Sequence, residues 1–131
     1  MEPWVADYIG IPYLEHGRDR AGCDCWGLVR LVLSEQWGKV LPDLGSDYGA
    51  VEASITQRLI SQTSALIEAE KVADYQPGDI VVLRVLGVPS HVGVIVGRWH
   101  FLHVQRGTDS AISRLDSSAN AHRIEGVYRV L

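Results

Sequence analysis

The residues best suited to chemistry are Cys23, Asp24 and Cys25, which lie where a turn leads into an apolar helix. The carboxylate of Asp24 can accept hydrogen bonds from the free N–H groups of a first helical turn, so Asp24 is a predicted N-cap. Cys25 is then the first helical residue, where the unpaired N–H groups and the positive end of the helix dipole stabilise a thiolate. We predict a helix from Asp24 to about Trp37, ended by Gly38, with a nucleophile at its start.

The two cysteines have alternative roles as core side chains, disulfide partners or metal ligands. Most free cysteines are small core side chains rather than nucleophiles. A disulfide between Cys23 and Cys25 would close a very small, strained ring, so we expect two free thiols. A zinc site is a further alternative, but structural zinc usually has a second closely spaced ligand pair, and here the other candidate ligands are scattered histidines. We expect no metal and no other cofactor.

The composition is that of one folded domain spanning residues 1–131. Nearly half of the residues are apolar, and the formal charge is −4 without any Lys/Arg run. This charge argues against a nucleic-acid-binding protein. No apolar run approaches the roughly 18 residues of a membrane helix, so we expect no membrane insertion.

The predicted elements are helices first and strands afterwards. A short helix is predicted over Trp4–Ile11, a loop over Gly10–Gly22, and a second long helix from about Val51 to Ala69. Five strands follow, at Ile80–Leu86, His91–Val96, Trp99–Arg106, Ala111–Leu115 and Gly126–Leu131. This order predicts an α+β fold in which N-terminal helices pack on a C-terminal antiparallel sheet of about five strands.

His91 and His103 lie on neighbouring predicted strands, and the hairpin register decides whether they meet. With a two-residue loop, His91 faces Val104 and His103 points to the other side of the sheet. With a three-residue loop, His91 lies directly across from His103, with β-carbons about 5 Å apart. The second register also sorts the side chains into two faces, one with Val92, Val94, Leu102 and Val104, and the other with His91, Gly93, Ile95, Phe101 and His103.

Such a histidine pair suits a general base and the group that orients it. One imidazole takes a proton from a thiol, and the second holds the first ring in the required tautomer. The alternative is that each is a hydrogen-bonded core or edge histidine. Among the other histidines, His100 alternates out of phase and is predicted to be structural, His16 lies in a loop that could border a site, and His122 is predicted to be on the surface.

Five motifs span nearly the whole chain: Gly10-Ile11-Pro12-Tyr13, Asp24-Cys25-Trp26-Gly27-Leu28-Val29, Pro77-Gly78-Asp79, His91-Val92-Gly93 and Leu102-His103. In their residues and their order, these motifs resemble those of the NlpC-type cysteine peptidases, a papain-like group of cell-wall hydrolases. The order of cysteine before histidine argues against the circularly permuted relatives that act as lipid acyltransferases.

The resemblance implies a role for each matching residue. Cys25 would be the nucleophile, His91 the base and His103 its orienting partner. Tyr13 would border the site near the oxyanion, together with Asp24 and Trp26, and the Cys25 N–H could donate to the oxyanion. The implied reaction is cleavage of amide bonds in peptidoglycan stem peptides, typically between D-glutamate and a diamino acid, through a thioester.

One departure from the family pattern is Trp26, where many members have Ser. The run from Cys23 to Arg30, a following Leu-Pro segment and the Gly-Val-Tyr-Arg ending resemble the subset encoded with phage tail genes. The resemblance implies a tail-tip component that contacts other tail-tip proteins and opens the wall. Met1–Asp7 lacks the pattern of a secretory signal. We therefore expect synthesis in the host cytoplasm and delivery by the virion tail to the bacterial cell wall or periplasm.

Three alternatives differ in class or setting. The first is a structural tail or assembly protein that keeps the fold but is catalytically silent. The second is a metal-binding module built from Cys23, Cys25, His91 and His103. The third keeps the enzyme but makes it an antibacterial effector injected into rival cells.

Overall fold

A computed structural model describes residues 1–42 and 68–131. The N-terminal part contains a 3-10 helix at Pro3–Tyr8, a small hairpin of β1 (Arg18–Asp19) and β2 (Gly22–Cys23), and one long helix, α1 (Cys25–Trp37). The C-terminal part contains six strands, β3 (Ala69–Val72), β4 (Ile80–Val85), β5 (Val88–Gly97), β6 (His100–His103), β7 (Ala111–Arg114) and β8 (Ile124–Val130), with a 3-10 turn at Ala121–Arg123 before the last.

The six strands form one antiparallel sheet in the order β3-β8-β4-β5-β6-β7. The main core cluster joins α1 to one set of alternating strand residues, including Val82, Val92 and Leu102. A smaller cluster contains the residues that alternate with them, including Leu83, Ile95 and Phe101. The predicted α+β architecture and the sorting of side chains between the two faces are therefore confirmed.

Helix α1 forms as its sequence predicts. Its apolar residues recur at helical spacing, and Leu28, Val29 and Val32 are fully buried. At the C-terminal end, Gly38 adopts a left-handed conformation with φ of 64°, which glycine tolerates without steric cost. The buried face packs α1 into the main core cluster, with Cys25 as the first helical residue.

Several predicted boundaries need correction. The helix predicted over Trp4–Ile11 is the shorter 3-10 helix at Pro3–Tyr8, and the loop predicted over Gly10–Gly22 contains the β1–β2 hairpin. Among the described residues the main sheet has six strands where about five were predicted, because Ala69, predicted to end a helix, begins the edge strand β3. The rest of the helix predicted from Val51 lies outside the described residues.

The strand ends also differ slightly from the predictions. Strand β5 begins at Val88 instead of His91, β6 ends at His103 instead of Arg106, and β8 begins at Ile124 instead of Gly126. In the described part of the chain, no helix is both long and apolar enough to span a bilayer.

Candidate active site

Asp24 organises the start of α1. Its Oδ1 accepts a hydrogen bond from the Gly27 N–H at 2.7 Å, which confirms the predicted N-cap. The same oxygen accepts from Arg18 Nη1 at 3.0 Å, and Oδ2 accepts from the His16 N–H at 3.0 Å. Because these donors satisfy its oxygens, the Asp24 carboxylate can be buried, and only 1% of the residue is exposed to solvent.

Arg18 was missed at the sequence level, since a charged residue in a Gly-rich loop gives no sign of a buried partner. Its guanidinium pairs with Asp24 and also donates to the Gly17 carbonyl at 2.8 Å. That carbonyl lies so close to α1 that a β-carbon on Gly27 would overlap its oxygen. Gly27 therefore allows the loop to lie against the first turn of the helix beside Cys25.

The two cysteines have different surroundings. Cys25 is the first residue of α1, and Cys23 lies in β2; both are free thiols, and both are buried. Burial, with the nearby Asp24 charge adding to it, raises the pKa of Cys23 to about 12. Cys23 is therefore a protonated, unreactive thiol at neutral pH, whereas Cys25 has the helix N-terminus beside it.

Tyr13 connects the cysteine turn to the loop between β6 and β7. It forms a β-bridge with Cys23, and its N–H donates to the Thr108 carbonyl at 3.1 Å. Tyr13 and His91 line one cavity of about 360 Å³, together with Val104. Val104 belongs to the same core cluster as Cys25, so that cluster adjoins the cavity.

His91 and His103 are in direct contact. The His91 Nε2 and His103 Nδ1 atoms are 2.8 Å apart, and the two ring centroids are 5.1 Å apart. His91 is nearly buried at 6% exposure, and His103 is half-buried. The predicted partnership of the two side chains is therefore present in the structure.

The predicted hairpin registers are both wrong. Val94 pairs with Leu102 and Ile95 with Phe101, and an irregularity follows before Gly97 pairs with His100. Continuing this register places His103 opposite Gly93, so His91 is a diagonal rather than a direct neighbour. The shift of two positions from the three-residue-loop register preserves the face of every side chain, which is why the histidines still meet.

Ser113 extends the histidine pair by one further hydrogen bond. Its Oγ lies 2.7 Å from His103 Nε2, so His91, His103 and Ser113 form a chain across β5, β6 and β7. Ser113 has no distinct signal in the sequence, because its contact with His103 depends on the β6–β7 register. In that register His103 pairs with Ala111 and Phe101 pairs with Ser113. Three adjacent strands thus hold one polar chain on a single face of the sheet.

Both imidazoles are held neutral at pH 7. Burial, then the neighbouring His103 and the Arg123 charge, lowers the pKa of His91 from 6.5 to about 3. Burial and Arg123 lower the pKa of His103 to about 4. A neutral imidazole is the form that can accept a proton, so the pair suits a general base.

The remaining predicted residues have other surroundings. Trp26 is fully buried in the main core cluster, and its indole N–H donates to the Pro42 carbonyl at 3.0 Å. His100 pairs with Arg114 in the β6–β7 ladder, and His16 and His122 are exposed. Within residues 1–42 and 68–131, no three His, Cys, Asp or Glu side chains are placed to hold a metal ion.

The sequence matches the model of the NlpC/P60 family over residues 10–129, nearly the whole chain. The chain belongs to the NlpC/P60 family. This confirms the family predicted from the cysteine and histidine motifs. The setting in a phage tail stays a prediction.

Relatives of the chain include a curated bacterial protein. Over 126 residues, the chain is 25% identical to murein DD-endopeptidase MepS/murein LD-carboxypeptidase of Escherichia coli. The alignment covers 96% of this chain and 59% of that protein, so the chain spans about three-fifths of the length of this relative.

Solved structures share the fold. The NlpC/p60 domain of the peptidoglycan hydrolase SagA matches with a TM-score of 0.63 and 22% identity, covering 95% of this chain and 91% of that one. An NlpC/P60 family protein from Bacillus cereus matches with a TM-score of 0.69 and 18% identity, covering 95% of this chain and 37% of that one. At these identities, the likeness shows that the α1-and-sheet architecture is that of the family.

Proposed function

We propose that the protein is a cysteine endopeptidase that cleaves amide bonds in the stem peptides of peptidoglycan. The observation that carries this proposal is the 2.8 Å contact between His91 Nε2 and His103 Nδ1, beside a cavity that Tyr13 also lines. Family membership and the name of the curated murein endopeptidase relative support the same substrate class. Cys25, His91 and His103 are the proposed catalytic residues.

The chemistry begins with the histidine pair. When His91 Nε2 carries its proton and donates to His103 Nδ1, the lone pair of His91 Nδ1 is left to accept the proton of Cys25 Sγ. The thiolate then attacks the carbonyl carbon of the scissile amide, and the helix N-terminus with the Cys25 N–H stabilises the oxyanion. His91 returns the proton to the leaving nitrogen as the C–N bond breaks, which leaves a thioester on Sγ.

Hydrolysis of the thioester completes the cycle. His91 accepts a proton from a water molecule while the water oxygen attacks the thioester carbonyl carbon. The C–S bond breaks, and the proton passes to Sγ, which restores the free thiol and releases a carboxylic acid. Asp24 takes a positioning role here, because its oxygens hold the first turn of α1 and the preceding loop.

For the bond cleaved, we propose the amide between D-glutamate and the diamino acid, as the motif resemblance implies. The name of the Escherichia coli relative refers to a DD-endopeptidase and an LD-carboxypeptidase and does not mention this bond. The experiment must therefore identify the products.

For the biological setting, we propose a phage tail-tip component. The resemblance of the run from Cys23 to Arg30 to proteins encoded with phage tail genes supports this. Detection of the protein in purified virions by mass spectrometry tests it.

The decisive test is mass spectrometry of muropeptides after incubation with purified wild type, Cys25→Ala and Cys23→Ala. We expect the wild type and Cys23→Ala to release the same fragments and Cys25→Ala to release none. Fragments with free D-glutamyl carboxyl ends would support the proposed bond. Absence of cleavage by the wild type, or undiminished cleavage by Cys25→Ala, would overturn the proposed reaction and favour a silent structural protein.

A further inference from the structure

A second cavity lies beside the histidine pair, with His103 in its lining. It has a volume of about 380 Å³ and is lined by His103, Ser113, Asn120 and Arg123, with the exposed Asp109 also contributing. The His103–Ser113 hydrogen bond thus forms part of its wall. Gln105 and Thr108 line both this cavity and the one that contains Tyr13 and His91, so the two cavities are neighbours.

Arg123 is the cation of this second cavity. It is half-buried, and its Nε donates to the Arg84 carbonyl at 3.1 Å. Arg84 in turn donates from Nη1 to the Ile124 carbonyl at 3.3 Å. Both guanidinium groups are therefore held by backbone acceptors, and no carboxylate from residues 1–42 or 68–131 forms an ion pair with either.

The two arginines also meet at a third cavity. Arg84 and Arg123 line it together with His122, and its volume is about 290 Å³. Arg123 has no ion-pair partner among residues 1–42 and 68–131, and its charge extends to His91 and His103, where it disfavours protonation. An anion bound at Arg123 would neutralise this charge.

We infer that Arg123, supported by Arg84, is a subsite for a carboxylate of an acidic peptide substrate. This rests on the proposed function, because stem peptides that contain D-glutamate and a diamino acid carry free carboxylates beside the amide to be cleaved. A planar guanidinium donates two parallel hydrogen bonds to a carboxylate, which gives orientation as well as charge. The net charge of the chain is −4, whereas Arg84 and Arg123 form a local pair of cations without an ion pair among the described residues, and this pair would attract an acidic peptide.

Binding can be measured without turnover. The probe is an L-Ala–γ-D-Glu–diamino acid peptide with free carboxylates, titrated by calorimetry into Cys25→Ala, alongside the same peptide with its carboxylates converted to amides. We expect Cys25→Ala to bind the acid form about tenfold more tightly than the amide form, the difference that one charge-assisted contact accounts for. Adding Arg123→Gln should abolish this difference, and Arg123→Lys should restore part of it.

A matched control is Arg114→Gln, which removes an exposed arginine that pairs with Asp116 outside the cavity. It should leave the preference for the acid form unchanged. The inference is overturned if Arg123→Gln keeps the preference, or if Arg114→Gln removes it equally, since the effect would then be one of general charge. If the preference depends on Arg123 but the wild type cleaves no peptidoglycan, the carboxylate subsite stands and the proposed reaction fails.

Discussion

His103 reaches His91 diagonally across Gly93, so that His103 Nδ1 lies 2.8 Å from His91 Nε2. A β-carbon at Gly93 would lie 2.9 Å from the Leu102 carbonyl oxygen and 3.2 Å from the β-carbon of His103. The 2.9 Å contact is shorter than the contacts that β-carbons make in real structures, and the Leu102 carbonyl oxygen can move only if the backbone moves. The absence of a side chain at Gly93 is therefore what allows the two imidazoles to meet.

Gly93→Ala should impair catalysis more than folding. The added methyl group pushes β6 or the His103 ring away, and a displacement near 1 Å at a catalytic group can cost on the order of 100-fold in rate. Overpacking should lower the free energy of unfolding by about 1–3 kcal/mol. Steady-state cleavage and chemical denaturation measure the two effects.

Gly97→Ala is the matched control on the same strand. A β-carbon there would make ordinary contacts, the nearest at 3.6 Å from the Met1 side chain. We expect near-normal cleavage from this variant. Equal activity of Gly93→Ala and Gly97→Ala would show that the close approach of His103 to His91 is not needed.

Ser113→Ala should change the tautomer of His103. In the tautomers that the proposed mechanism requires, Ser113 Oγ accepts from His103 Nε2–H, which leaves His103 Nδ1 to accept from His91. Without Ser113, both neutral tautomers of His103 become accessible. Nitrogen-15 NMR of the imidazoles should report a single tautomer in the wild type and a mixture in the variant. Loss of one hydrogen bond worth about 1.4 kcal/mol corresponds to about a tenfold lower kcat/KM.

Ser113→Thr, which keeps the hydroxyl group, should restore most of the activity. Ser117→Ala removes a hydroxyl group that donates to the Arg114 carbonyl and accepts from the Asn120 N–H, and it should leave the imidazole spectra unchanged. A single, unaltered His103 tautomer in Ser113→Ala would rule out this positioning role.

The histidine pair should also make stability depend on pH in a defined window. The pKa of His91 is lowered to about 3 and that of His103 to about 4, whereas both return to about 6.5 in the unfolded chain. Between these pKa values the unfolded state binds more protons than the native state. The free energy of unfolding is therefore highest above pH 6.5 and decreases as the pH falls towards 4. The slope reaches about 1.4 kcal/mol per pH unit for each imidazole that takes up a proton on unfolding.

Denaturation at pH 7.5, 6.5, 5.5 and 5.0 measures this slope. A His91→Asn/His103→Gln double variant should have a flatter profile over this range, whereas His122→Asn, which changes an exposed histidine, should follow the wild type. The range stops at pH 5 so that titration of the carboxylates contributes little. A wild-type profile no steeper than that of the double variant would contradict the assigned pKa shifts.

Local signals were sufficient to predict α1. The capping carboxylate of Asp24, the apolar spacing and Gly38 all act within a few residues, and the observed helix follows them. The faces of the sheet were also predictable, since alternation has a period of two and survives a register error of two positions. The register itself was not, because it depends on the irregularity between Ile95 and Gly97, which has no distinct sequence signal.

Long-range contacts account for most of what sequence reasoning missed. Arg18 meets Asp24 only because the preceding loop folds against α1, and Ser113 meets His103 only through the β6–β7 ladder. Strand β3 is short, polar and at the sheet edge, and its Ala-Glu-Lys-Val sequence favours a helix as much as a strand. Each of these features depends on which elements pair, and the pairing cannot be predicted from a single sequence.

The difference between the two thiols gives a prediction about reagent selectivity. Both thiols are buried, but burial and the Asp24 charge raise the pKa of Cys23 to about 12, so its thiolate is nearly absent at pH 7. Cys25 lies at the N-terminus of α1, where the helix dipole favours its thiolate. Iodoacetamide at neutral pH should therefore modify Cys25 first, and peptide mapping should find the adduct there.

Cys23→Ala should keep the wild-type modification rate, and Cys25→Ala should lose the fast modification. Faster modification at Cys23, or a Cys25 rate no higher than that of a simple thiol, would indicate that Cys25 is not an activated nucleophile and would favour a catalytically silent protein.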